Sequence, residues 1–204
     1  MPDYPSEPRS APAPVLRVGF AGSIGRSCFS DLLLRGGPGL EPAYGAGSRR
    51  GLLAAVAAGQ LDVAVYPGPA AVGVETALLC QDHLVVAMGR AHPLALRPWA
   101  DVDMLRRAGA ILLPEDGDEG EFRRLVGRLL PGLGRVQDVP ARDLARRLNG
   151  GEAAALVTAG QADEVGCDVV LPLSGPHAGF DVRIAWSPAA RDTDFGRVIT
   201  ALGA

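Results

Sequence analysis

The chain has 204 residues, 48% of them hydrophobic and 21% charged, with a formal net charge of −3. That is enough for one α/β domain or two small lobes and too apolar for a disordered chain, while no apolar run nears the roughly 18 residues of a membrane span. All 20 basic residues are arginine, which removes any mechanism needing a lysine amine, and the acidic balance leaves no basic footprint for nucleic acid.

Residues 1–14, "MPDYPSEPRSAPAP", read as a Pro-rich extended tail. No charged segment followed by an apolar one opens the chain, so no secretory signal is read and a cytoplasmic, membrane-free protein is expected. "VLRVGF" (15–20) is the first strand, and "AGSIGRS" turns into a helix carrying Cys28, Phe29, Leu32 and Leu33 that "RGGPG" stops. "LEPAYGA" (40–46) is a second strand, placed at an edge or bulge by Pro42. Ser48 caps a helix whose apolar positions are Leu52, Leu53, Val56 and Ala57, with Gly59 at its C-terminal turn. "LDVAVY" (61–66) and "LVVAM" (84–88) follow as strands.

A second region starts near Pro93. "AILL" (110–113) is a strand, and "PEDGDEGEF" leads into a helix with Phe122, Leu125, Val126 and Leu129 at helical spacing. "RVQDV" (135–139) is a short strand, and "ARDLARRLNGG" is a helix with Leu144 and Leu148 inward. "AAALV" (153–157), "DVVL" (168–171) and "DVRIAW" (181–186) are strands, and Phe195, Val198, Ile199 and Leu202 mark a last amphipathic helix. Strands alternating with helices of about ten residues argue for α/β architecture with parallel strands.

In such sheets ligands gather beyond the carboxyl ends of the strands. Three small-residue loops belong there: Ala21-Gly22-Ser23, Gly47-Ser48 and Pro67-Gly68-Pro69. Two of them open helices, whose first N–H groups favour anions. Asp62 starts its strand at the other end, where it accepts backbone hydrogen bonds in a structural role.

The order of these segments resembles a known family. "LLAAVAAGQLDVAVYPGP", then "VETALLCQDHLVVAMGRAHPLA" (74–95), "GGEAAALVTAGQADE" and "VRIAWSPAARDTDFGRVITAL", is similar to the effector-binding domain of LysR-type transcriptional regulators over about residues 15–204. The resemblance implies a type II periplasmic-binding-protein-like α/β fold, with two α/β lobes joined by two crossover strands and a cleft between them. Lobe I would be about 15–88 with 188–204, and lobe II about 89–187. It also implies a small-molecule effector in the cleft, homodimers, and no cofactor. The family's winged helix-turn-helix and linker helix do not appear in these 204 residues, so direct DNA binding by this chain is not expected.

On that frame Ser23 and Arg26, at the start of the first helix, are candidates to hold an effector carboxylate. Ser48 and Arg49 repeat the pattern at the second helix, and Gly68 lets a ligand approach backbone. An arginine at a helix N-terminus opposes the dipole unless an anion is near, so an anionic effector is one expectation. Glu115 opens an acidic run with Asp116, Asp118, Glu119 and Glu121, read first as a solvated helix start and second as a selector of cationic or hydroxyl-rich ligands. Thr158 is a contact from lobe II. Cys28, Cys80 and Cys167 show no metal-ligand or disulfide spacing, the three histidines are scattered, and neither a metal site nor a catalytic residue is assigned. The alternative is a free-standing enzyme of cyclase or isomerase type, which would work by positioning and leave no motif.

Overall fold

The computed structural model describes residues 15–22, 24–25, 29–30, 41–115, 120–175 and 179–188. The Pro-rich tail, most of the first helix and the C-terminal helix expected from the sequence lie outside them. Nine strands form one continuous sheet system with two halves. In the first half β1 (Val15–Ala21) pairs parallel with β2 (Glu41–Gly47) and β3 (Val63–Pro67). β3 then pairs antiparallel with β9 (Gly179–Trp186), which pairs antiparallel with the first part of β4 (Glu75–Met88).

The second half repeats the scheme. β5 (Ala110–Glu115) pairs parallel with β6 (Val136–Pro140) and β7 (Ala153–Thr158). β7 and β8 (Val169–Pro172) flank the last part of β4, both antiparallel. β4 is therefore common to both halves. Its partner changes between His83, opposite Gly179, and Leu84, opposite Thr158.

Central strands are apolar on both faces because helices or chain cover both sides. Val63 to Tyr66 of β3 and all six residues of β7 are buried. Helix α1 (Arg49–Ala57) packs Leu52 and Val56 on the first half. In the second half, α2 (Val102–Arg107) buries Leu105, α3 (Glu121–Leu129) buries Phe122, Leu125 and Val126, and α4 (Ala141–Asn149) buries Leu144 and Leu148. Leu125 and Leu148 sit on opposite faces of that sheet, in separate core clusters, so lobe II is a three-layer unit.

Asp62 does accept a backbone N–H, although the donor is a neighbouring strand rather than a turn. Arg17 of β1 donates its backbone N–H (2.8 Å), its Nε (3.1 Å) and one terminal nitrogen (2.7 Å) to the Asp62 carboxylate. Burial alone would raise this carboxyl's pKa, but the hydrogen bonds and charge of Arg17 outweigh it and hold the group below the usual carboxylate range. In the "HPLA" segment His92 is buried, and its Nδ1 accepts from Leu94 N at 3.2 Å. Burial pushes the imidazole below its ordinary pKa, against a smaller opposing effect of the Ala108 backbone. Among the described residues no helix is long and apolar enough to cross a membrane.

Candidate functional site

The C-terminal ends of β1, β2 and β3 lie side by side, so the Gly22, Gly47-Ser48 and Pro67-Gly68-Pro69 segments share one edge of lobe I. Ser48 caps α1, its hydroxyl accepting from Gly51 N at 3.0 Å. The next residue, Arg49, reaches across that edge and donates to the Pro69 carbonyl at 3.0 Å. Its guanidinium also stands 5.0 Å from the centroid of the Tyr66 ring, a cation–π distance. Gly68 turns the loop with φ 105°, a left-handed value that glycine adopts without strain.

Facing this edge is α3 of lobe II. Arg49, Pro67 and Pro69 on one side and Glu121, Arg124, Leu125 and Arg128 on the other enclose a cleft of about 340 Å³. Glu121, Arg124 and Arg128 follow helical spacing and share one face of α3, while Phe122 and Val126 point to the core. The side chains of Arg124 and Arg128 make no ion pair or hydrogen bond among the described residues. Three guanidiniums thus meet one carboxylate, a field that favours an anion.

Tyr66 lies beneath the arginine and is fully buried, and its hydroxyl has no geometric hydrogen-bond partner among the described residues. Burial raises the phenol's pKa, with the Arg49 charge the largest opposing effect. Arg183 stands next to Tyr66 in register on β9, 3.4 Å from Asp181. Nε of Arg49 is likewise buried and without a partner, so this arginine has capacity left over.

The two lobes also touch directly on one side of the seam. Gln161, in the 3-10 turn Ala159–Gln161 after β7, donates its side-chain amide to the Gly22 carbonyl at 2.7 Å. A side chain at Gly25 would overlap the Gly160 carbonyl, so the backbones meet without space for a Cβ. Asp82, buried in the middle of β4, accepts from His83 N at 2.7 Å and Gly160 N at 3.4 Å.

Of the residues expected from the sequence, Arg49 lines the cleft, Gly68 sits between two lining prolines, and Ser48 stands at the foot of Arg49. Glu115 is exposed at the C-terminal end of β5, opposite Pro140 of β6. Thr158 is fully buried at the seam, opposite Leu84, at the N-cap of the 3-10 turn that carries Gln161. Ser23 and Arg26 lie outside the described residues, as do Asp116, Asp118 and Glu119. Sequence reasoning passed over Arg124 and Arg128, whose helical positions read as a solvated face. Cys80 and Cys167 are half-buried, and burial raises the Cys167 thiol's pKa. Among the described residues no group of three or more His, Cys, Asp or Glu is placed to hold a metal ion.

Comparison with known proteins bears on what this cleft serves. No curated protein sequence matches the chain. Among solved structures, the reduced OxyR regulatory domain from Pseudomonas aeruginosa is 22% identical with a TM-score of 0.73, over 95% of this chain and 97% of that one. A full-length OxyR from Pseudomonas aeruginosa is 23% identical with a TM-score of 0.74 over 94% of this chain, which spans 64% of that protein's length. CbnR, a LysR family transcriptional regulator, is 16% identical with a TM-score of 0.74, over 92% of this chain and 68% of that one. At these identities the likeness is one of fold. The model of the LysR substrate binding domain matches residues 9–202, and with nearly the whole chain inside that match, this protein belongs to the LysR substrate-binding domain family, the effector-binding part of LysR-type regulators.

Proposed function

We propose that this chain senses an anionic small molecule held between Arg49 of lobe I and Arg124 and Arg128 of lobe II, as the sensing part of a transcriptional regulator acting in the cytoplasm. The observation that carries the reading is the cleft lining itself, three arginines against Glu121 alone. A carboxylate or phosphate there accepts bidentate hydrogen bonds from planar guanidiniums. Ser23 and Arg26 stand in this reading as the effector contacts expected from the sequence, with the Ser48 hydroxyl and Gly68 backbone as neutral contacts. Glu115 and Thr158 belong to the lobe II side, where an acidic group selects against ligands of excess negative charge. The cyclase or isomerase alternative gains no support from the comparisons.

The ligand acts by its different affinity for open and closed arrangements of the lobes. We place the lobe boundary at the change of partners between His83 and Leu84 in β4, with the return crossing before β9. The assembly is a homodimer, and these 204 residues do not themselves contact DNA. A melting-temperature screen of organic acids and phosphorylated metabolites identifies the ligand, since binding to the folded state alone raises stability. Isothermal titration of Arg49→Ala then tests the site. A loss of one or two charge-assisted hydrogen bonds weakens affinity roughly ten- to hundredfold, and unchanged affinity rejects the site. Light scattering at tens of micromolar tests the dimer, and a monomer there rejects it.

A further inference from the structure

We propose that the outer pole of lobe II carries a second binding site, for a small phosphorylated molecule of nucleotide size, framed by Arg106, Arg107 and Arg135. These side chains line a recess of about 720 Å³ between the end of α2 and the starts of β5 and β6. Glu115 at the far end of β5 marks the cleft side, about 17 Å away at strand rise. The recess is built from lobe II alone and is separate from the cleft.

Its lining includes three arginines and no acidic residue. Arg106 is fixed: its Nε donates to the Gly132 carbonyl at 2.6 Å, one terminal nitrogen to Pro131 O at 3.4 Å, and the other to Asp103 at 2.8 Å. The loop is shaped around this guanidinium. Gly132 has φ 78°, and a Cβ there would stand 2.7 Å from the Arg106 side chain. Arginine in the last turn of a helix also suits the carbonyl end, which accounts for Arg106 and part of Arg107.

That account leaves charge over. The side chains of Arg107 and Arg135 make no ion pair or hydrogen bond among the described residues, and both residues are exposed beside the recess. Arg106 is braced and paired with Asp103, while the two remaining guanidiniums have no counter-charge; they match a multiply charged anion, and their planar forks match phosphate oxygens. Leu133, Ala110 and Val136 supply an apolar wall for a ring, and the volume falls in the range of small-molecule sites. A recess with one apolar wall fits a compact ligand better than an extended polyanion.

The test is isothermal titration of the full 204-residue chain with ADP, ATP and inorganic phosphate at about 0.15 M ionic strength. Saturable one-to-one binding of the nucleotides, tighter than phosphate, is expected. The double variant Arg107→Ala/Arg135→Ala should weaken it at least roughly tenfold, the loss of a charge-assisted contact. Both residues are exposed, so its melting temperature should stay at the parent value. Arg124→Ala, in the cleft, should leave nucleotide affinity unchanged, which separates this site from the effector reading. Absence of saturable binding overturns the proposal, as does affinity unaffected by the double variant. Heparin binding as tightly as the nucleotides, with both interactions abolished by moderate salt, also overturns it, because the surface is then a general polyanion patch.

Discussion

Two arginines mark the two ends of the lobe I sheet, and they are treated in opposite ways. Arg17, at the end away from the cleft, gives its backbone and two side-chain nitrogens to Asp62. Arg49, at the cleft end, has a carbonyl, a ring face and a buried Nε with no partner. An arginine whose hydrogen-bonding capacity is met by its own chain contributes to architecture. One left with an open valence and no acid beside it is available to something that arrives from outside. The difference lies in the acid: Asp62 pairs with the first at 2.7 Å, and among the described residues no carboxylate forms an ion pair with the second.

Substitution at each end sharpens this contrast. The largest effect is expected from Arg49→Ala, read as ligand affinity: about 1.5–3 kcal/mol lost by titration, with a smaller fall in melting temperature from the lost Pro69 bond and Tyr66 ring contact. A melting temperature that falls as far as affinity would erase the distinction between the two arginines. Asp62→Ala should do the reverse, lowering stability by about 1–2 kcal/mol in a denaturant titration without changing affinity. The pair is partly exposed, so its Coulombic share is small and most of this cost is the lost acceptor for Arg17 N–H.

The same carboxylate sets a pH window. Its folded pKa is depressed relative to the unfolded chain, so its contribution is present above about pH 4 and is lost as pH falls through the folded value. Denaturant midpoints of the parent should therefore drop on acidification below about pH 4 more steeply than those of Asp62→Asn. Parallel pH profiles would assign the depressed pKa no role in stability.

Ser48 gives a smaller and divisible effect. Ser48→Ala should cost about 1 kcal/mol as a lost cap, and Ser48→Gly only a few tenths. If glycine also preserves ligand affinity, the hydroxyl is a cap alone and the cleft wall begins at Arg49. The smallest effect belongs to Tyr66→Phe. Removing a buried hydroxyl with no partner should leave stability unchanged or slightly raised, while the ring still carries Arg49. A clear loss of stability would mean that the hydroxyl is bonded after all, and the Arg49 surroundings would need redrawing.

Local pattern was legible where burial is simple. Leu144 and Leu148, Phe122 and Val126, and the apolar runs of β3 and β7 are inward in the structure as their spacing requires. The first part of β4 was not read as a strand, because its burial does not alternate cleanly and its register slips between Leu78 and Cys80. Helix α2 escaped notice at six residues, although Asp101 caps it with a 2.7 Å bond to Met104 N. Arg49 could be singled out because a cation at a helix N-terminus is locally unfavourable. Arg124 and Arg128 carry no such local anomaly. What makes them cleft residues is the docking of α3 against the other lobe, which no spacing within the helix encodes.

The 14-residue strand β4 has a consequence for how the molecule comes apart. Two lobes tied by loops would melt separately, each with its own transition. Here one hydrogen-bonded strand belongs to both sheets, beside β9 at the margin of the first and between β7 and β8 in the second, and is pinned at its midpoint by Asp82, so unfolding either half strips partners from β4 in the other. Calorimetry should record a single endotherm in which the van't Hoff and calorimetric enthalpies agree. The slowest amide protons to exchange, opening only with global unfolding, should be those of Val85–Met88, where β4 is paired on both edges.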